Sequence, residues 1–307
     1  MRDLRPLFEP RSVAIVGASN DPAKWGRWLA RGALRGEHRR SVFLVNRRGG
    51  EVLDRPAYPS LSDLPERPEL VVLAVPASAF EETVDEALEV GARAIVAISA
   101  GLGELGGEAQ ALEAAVVGRV RAAGAVLLGP NCNGFCDAAA EIELGLDEIP
   151  AGPIGFVSQS GNLCYEVAQL AADVGLGLSR VVSIGNQADL DAAAIVESLG
   201  TDPHTRVIAA YVEDFRDGRA FARAAAAAGT PSSSSPRAAA RQATARRVPT
   251  PGRSRATPPR STPPAVPRGS CESAPRASSS TRPSSFSHAT SRVVGASRSS
   301  ATEEAPA

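Results

Sequence analysis

Gly17-Ala18-Ser19-Asn20, with Lys24 four residues on, follows directly on the apolar run Val13–Val16. A short buried strand that runs through a glycine turn into a helix is an arrangement that receives phosphate. Glycine lets backbone come close to a ligand, and the free N–H groups at the helix start, with the helix dipole behind them, attract negative charge. The spacing from Gly17 to Gly26 is not G-x-G-x-x-G, so the turn alone is no dinucleotide fingerprint.

The second apolar run, Ser41–Val45, ends in Asn46-Arg47-Arg48. A nicotinamide-binding unit usually carries an acid here for the ribose hydroxyls. Two arginines suit a phosphate instead, such as the 3′-phosphate of coenzyme A or the 2′-phosphate of NADP. The plainer alternative is a solvated basic loop.

The elements that must hold these residues alternate regularly. Strands are predicted at 13–16, 41–45, 70–75, 94–98 and 125–128, with helices beginning near Pro22 and spanning about 81–90 and 108–123. Five strands alternating with helices make a doubly wound parallel α/β sheet, whose ligands lie at the carboxyl ends of the strands. The turns at Gly17, Asn46, Val75-Pro76, Ser99-Ala100 and Asn131 all fall on that rim. Leu4–Pro10 reads as a lead-in against the first strand, and 135–150 as a loop crossing to a second unit. That unit has strands at 154–157, 180–183 and 206–212 and helices from 161 to about 174, 189–199 and 217–228. Its turns Ser158-Gln159-Ser160-Gly161 and Gly185-Asn186 again offer backbone suited to an anion.

Composition divides the chain in two. Of 33 Lys+Arg and 34 Asp+Glu, residues 231–307 hold 12 arginines and 3 glutamates, so an acidic body is joined to a basic tail. No run of eighteen apolar residues and no apolar leader occurs, which points to a cytoplasmic protein without a membrane partner. Cys132, Cys136, Cys164 and Cys271 show no metal-ligand spacing, and no metal site is expected.

Seven ordered segments carry a family resemblance: Ser12–Asn20, Phe43–Asn46, Ala74–Ala77, Ile98–Gly101, Leu128–Cys132, Phe156–Gly161 and Gly185–Asp189. Over residues 7–230 the chain resembles the NDP-forming acyl-CoA synthetases, which include the alpha subunit of succinyl-CoA synthetase and the ADP-forming acetyl-CoA synthetases. The resemblance implies a Rossmann-type CoA-binding domain at 5–136 and an incomplete flavodoxin-like ligase domain at 150–230. It implies conversion of acyl-CoA, phosphate and ADP into acid, CoA and ATP through a phosphohistidine that moves to an ATP-grasp partner, where ADP or ATP and Mg belong. On that basis Gly17, Ser19, Asn20, Lys24, Asn46, Arg47 and Arg48 form the CoA cradle, continued by Val75, Pro76 and Ala100. Ser99 and Asn131 line the thioester, Ser158, Gln159, Ser160 and Gly161 face phosphate, and Glu213 is the acid that holds the phosphohistidine. Where Arg47 and Arg48 stand, the family often has proline and lysine.

The chain departs from the family after Thr230, where a valine-rich strand and Ser-His-Thr-Gly-Ala are expected. Residues 231–307 contain no Leu, Ile, Asp or Lys but 18 Ser, 12 Pro and 14 Ala, a composition expected to be disordered. A frame shift at Pro231 would account for it, since GTC-GTC-GTC-CTC encodes Val-Val-Val-Leu and, read one base later, serines. The alternative is a natural basic linker, without the aromatics that nucleic-acid stacking needs. His38 and His204 read as solvated residues, and His288, in Ser287-His288-Ala289-Thr290, echoes the missing motif only faintly. Loss of a strand predicts an open sheet edge. Two rivals remain: a non-catalytic CoA-binding or regulatory protein, and an NADP-binding Rossmann reductase. The second needs a Tyr four residues before a Lys, yet Lys24 is the only lysine and Gln169 stands four after Tyr165.

Overall fold

Two sheets, joined by a continuous seam, organise the computed structural model, which describes residues 2–146 and 149–229, and 292–297 as backbone. In the first sheet β1 (Ser12–Val16), β2 (Ser41–Val45), β5 (Leu70–Leu73), β6 (Ala94–Ala97) and β7 (Val126–Leu128) are parallel. Their apolar runs are buried almost throughout because α2 (Trp25–Arg35), α3 (Phe80–Glu89) and α4 (Gly107–Ala122) accompany the sheet. The segment after Asn46 is more ordered than its turn residues predict. β3 (Glu51–Val52) and β4 (Arg55–Tyr58) form a small hairpin, and β4 extends the sheet beside β2, giving the order β3-β4-β2-β1-β5-β6-β7. The chain leaves β1 on one side toward β2 and returns on the other toward β5, so the topological switch point lies between β1 and β5.

The expected loop at 135–150 is corrected by a hairpin, β8 (Phe135–Asp137) and β9 (Ile142–Leu144). Phe135, Cys136, Ile142 and Leu144 are all buried, since the hairpin forms the edge of the second sheet and α2 packs against β9. It pairs antiparallel with β11 (Leu178–Ser183), which runs parallel to β10 (Ala151–Ser158), and β10 in turn to β12 (Val207–Val212). α5 (Gly161–Asp173), α6 (Ala192–Thr201) and α7 (Gly218–Ala228) complete this unit.

The edge of β12 was expected to be open, but the backbone of β13 (Arg292–Ser297) pairs antiparallel along it. The remainder of the expected disordered tail, with His288 and Cys271, lies outside the described residues. The lead-in is a single turn, α1 (Arg5–Phe8), and Phe8 meets Phe135 edge to face at 5.2 Å, so it packs on the second unit as well as the first. The described residues fall in one compact unit.

Candidate functional site

Gly17 has φ +87°, and a Cβ there would lie 2.4 Å from the carbonyl oxygen of Ala74. The turn after β1 is thereby pressed against the end of β5, at the switch point. Gly26 holds the helix to the same turn, because a Cβ at 26 would lie 1.8 Å from the oxygen of Gly17. It performs the close-packing task of the third glycine of a dinucleotide turn at a different spacing, which is why the pattern rule misses it. α2 begins at Trp25 rather than near Pro22, with Lys24 as its N-cap residue.

Several cradle residues work on one another. Asn46 donates through Nδ2 to the Ala18 carbonyl (2.7 Å) and accepts through Oδ1 from the Arg48 N–H (2.9 Å). Asn20 reaches the hairpin, donating to the Glu51 carbonyl and accepting from the Leu53 N–H, both at 2.9 Å. Ser19 Oγ accepts from the Asp21 N–H at 3.1 Å, and the Lys24 ammonium lies 3.9 Å from Asp21 Oδ2 in an exposed pair. Asn20 and Asn46 thus shape the cradle. Arg47 and Arg48 are exposed, and among the described residues neither guanidinium has a carboxylate partner.

The rest of the rim is a second cluster. Ser99, buried, donates through Oγ to the Val75 carbonyl (2.6 Å), and its own carbonyl accepts from the Asn131 N–H (2.8 Å). Pro76 and Ala100 are exposed beside them, and Asn131 sits at φ +55° after the Gly129–Pro130 cis peptide. A third cluster surrounds the start of α5. Ser158, fully buried, donates to the Ser160 carbonyl (2.7 Å), while Gln159 Oε1 accepts from the N–H groups of Glu213 (2.9 Å) and Asp214 (3.0 Å). β10 and β12 therefore present Gln159 and exposed Glu213 together at the second sheet's own switch point.

The two sheets meet along Gly185–Leu190. The N–H groups of Asn186, Ala188 and Leu190 donate to the carbonyls of Pro130, Gly129 and Leu127, and a Cβ on Gly185 would lie 2.2 Å from Pro130 O. Asp189, which the sequence reading placed in a helix, is instead buried in this seam. It accepts from Arg2 Nη1 (2.7 Å), Arg121 Nε (2.6 Å) and the Leu127 N–H (2.9 Å). Burial pushes its carboxyl up, but these hydrogen bonds outweigh it and hold Asp189 below the ordinary aspartate range. α6 accordingly starts after the N-cap Asp191.

Asn133 is another residue that sequence reading missed. A Cβ on Gly161 would lie 2.5 Å from the Asn133 side chain, so the first unit's last turn lies against the start of α5. Cys132, Cys136 and Cys164 are buried, and burial pushes the thiols of Cys132 and Cys164 up to about 12. Among the described residues no cluster of metal-ligating side chains occurs, and no helix is long and apolar enough to cross a membrane.

Comparison with known proteins matches residues 11–138 to the CoA binding domain family and residues 151–232 to the succinyl-CoA ligase like flavodoxin domain family. The alpha subunit of acetate–CoA ligase [ADP-forming] I from Pyrococcus furiosus is 34% identical over 224 residues, 71% of this chain and 48% of the relative. PH0766 from Pyrococcus horikoshii OT3 superposes with a TM-score of 0.71 at 31% identity, over 74% of this chain and 52% of that one. The dinucleotide forming acetyl-coenzyme A synthetase 1 of Ca. Korarchaeum cryptofilum, solved with phosphate and ADP, gives 0.70 at 33% identity, over 75% and 50%. The chain spans about half the length of these relatives. Two domain families matched in order, on turns that the fold gathers at two adjoining switch points, establish that the chain belongs to the NDP-forming acyl-CoA synthetase family.

Proposed function

We propose that residues 5–136 bind coenzyme A or an acyl-CoA, and that the chain serves as the CoA-binding portion of an NDP-forming acyl-CoA synthetase. The observation that carries this is the pair Arg47 and Arg48. Both are exposed and without a carboxylate partner among the described residues, at the end of β2 beside the glycine turn. Guanidinium groups left unneutralised next to a helix N-terminus and an open turn suit a polyanionic nucleotide such as CoA. In this reading Gly17, Ser19, Asn20, Lys24 and Asn46 shape the pyrophosphate end. Val75, Pro76 and Ala100 border the pantetheine arm, and Ser99 and Asn131 stand at its thiol end.

Residues 150–230 form the partial ligase domain, with Ser158–Gly161 and Glu213 as its phosphate side. The reaction of the complete enzyme, in which acyl-CoA, phosphate and ADP give acid, CoA and ATP, requires a histidine to carry phosphate and an ATP-grasp partner. Among the described residues no histidine stands near Glu213. His38 pairs with Glu141 at 3.0 Å, and His204 precedes the amino end of β12, opposite Glu213. The chain alone is therefore read as inactive and as acting with a partner in the cytoplasm, where its buried thiols persist.

Thermal unfolding with added ligand tests the binding half. CoA is expected to raise the melting temperature in proportion to the logarithm of its concentration, and NADPH to leave it unchanged. A shift with NADPH and none with CoA would favour a reductase instead. Acid-labile phosphate on the chain after incubation with ATP, Mg and an ATP-grasp subunit would contradict the reading that it lacks the phosphate-carrying histidine.

A further inference from the structure

Asn186, in the turn after β11, touches three polar side chains from the first unit. Its Nδ2 lies 2.6 Å from Glu104 Oε2 and 2.9 Å from Glu113 Oε2, and its Oδ1 lies 3.2 Å from Asn131 Nδ2. The carboxylates are themselves anchored. Glu104 accepts from the N–H groups of Gly101 and Leu102, and Glu113, buried, from that of Gly103 at 2.9 Å. A Cβ on Gly103 would lie 2.3 Å from Glu113 Oε1, so glycine leaves the space this carboxylate occupies.

Hydrogen-bond chemistry then fixes a direction. A carboxylate only accepts, so the end of Asn186 that faces Glu104 and Glu113 has to be its NH2. Its carbonyl end therefore faces Asn131, and Asn131 has to answer with an N–H. The atoms Asn131 has left for the cleft are its own Oδ1 and one remaining N–H.

We propose that Glu104 and Glu113, acting through Asn186, are positioning residues that set the polarity of the Asn131 amide, so that an acceptor oxygen faces the pantetheine arm of the bound cofactor. That oxygen takes a hydrogen bond from an amide N–H or the thiol S–H of the arm. With the relay reversed, Asn131 would turn only donors outward and the bond would be lost. The proposal rests on the reading that Asn131 stands at the thiol end of CoA.

The E104Q/E113Q double variant keeps side-chain size but gives each side chain one oxygen and one NH2; where the NH2 takes the place of the Oε2 that Asn186 shares with the backbone N–H of Leu102 or Gly103, Asn186 is free to adopt either orientation. Its dissociation constant for CoA is expected to rise about tenfold, the value of one well-placed hydrogen bond. E108Q, on the exposed start of α4, should leave it unchanged. A second readout needs no cofactor. N131D places a carboxylate against the fixed Asn186 carbonyl and should lower the melting temperature by about 2–4 °C. In the E104Q/E113Q background Asn186 can turn its NH2 toward Asp, and the same substitution should cost little. E104Q alone, at the exposed carboxylate, gives the same comparison with smaller amplitude should the double variant fail to fold. Equal melting losses in both backgrounds would overturn the relay, as would parent and double variant binding CoA equally. If the parent binds no CoA, the CoA-binding reading fails and the melting comparison still decides the relay.

Discussion

Arg47 and Arg48 stand where the hydroxyls of a nicotinamide ribose would need an acid, and each lacks a neutralising neighbour among the described residues. If they meet the 3′-phosphate of CoA, R47A/R48A should weaken CoA binding about 10- to 100-fold, the range of charge-assisted hydrogen bonds, while dephospho-CoA binding changes little. Calorimetric titration of both ligands checks this, and an equal loss for the two would assign the arginines elsewhere. Gly26 makes a steric prediction. G26A forces a methyl against Gly17 O, and should cost about 1–3 kcal/mol in urea unfolding through displacement of α2 from the phosphate turn. The arginines were legible in the sequence because charge at a strand end has a direct chemical meaning. The duties of Gly26, Asn133 and Asn186 were not, since each depends on what the fold brings opposite it.

At the scale of elements, the long buried strands were readable from their apolar runs, and β1, β2, β5 and β6 lie within two residues of their predicted bounds. The hairpins β3–β4 and β8–β9 escaped because strands of two to four residues leave no periodicity to read. Asp189 explains the displaced start of α6: its carboxylate serves Arg2, Arg121 and the backbone of β7 instead of a helix. D189N keeps the size but sets an NH2 group among donors. It should cost about 1–3 kcal/mol, and a melting point equal to the parent's would show that the seam does not depend on this charge.

Across the whole molecule, Glu104 and Asp189 tie the first unit to the second, and both are held below their ordinary values. Burial pushes each up. The Asn186 amide and backbone N–H groups outweigh this at Glu104, as Arg2, Arg121 and Leu127 do at Asp189. A carboxyl with a depressed value binds fewer protons folded than unfolded, so its stabilisation is complete above the unfolded value and is lost as pH falls through the folded one. The melting temperature should therefore begin to fall below the unfolded values of 4.5 and 3.8. In E104Q/D189N that loss should be smaller, and an unchanged acid profile would assign it to other groups.

The rim at Gly17, Asn46 and Asn131 either holds coenzyme A or does not. Isothermal titration of the whole chain with CoA measures this most directly. A saturable heat at one CoA per chain, reduced in R47A/R48A, is the predicted result; no heat at any CoA concentration would contradict it.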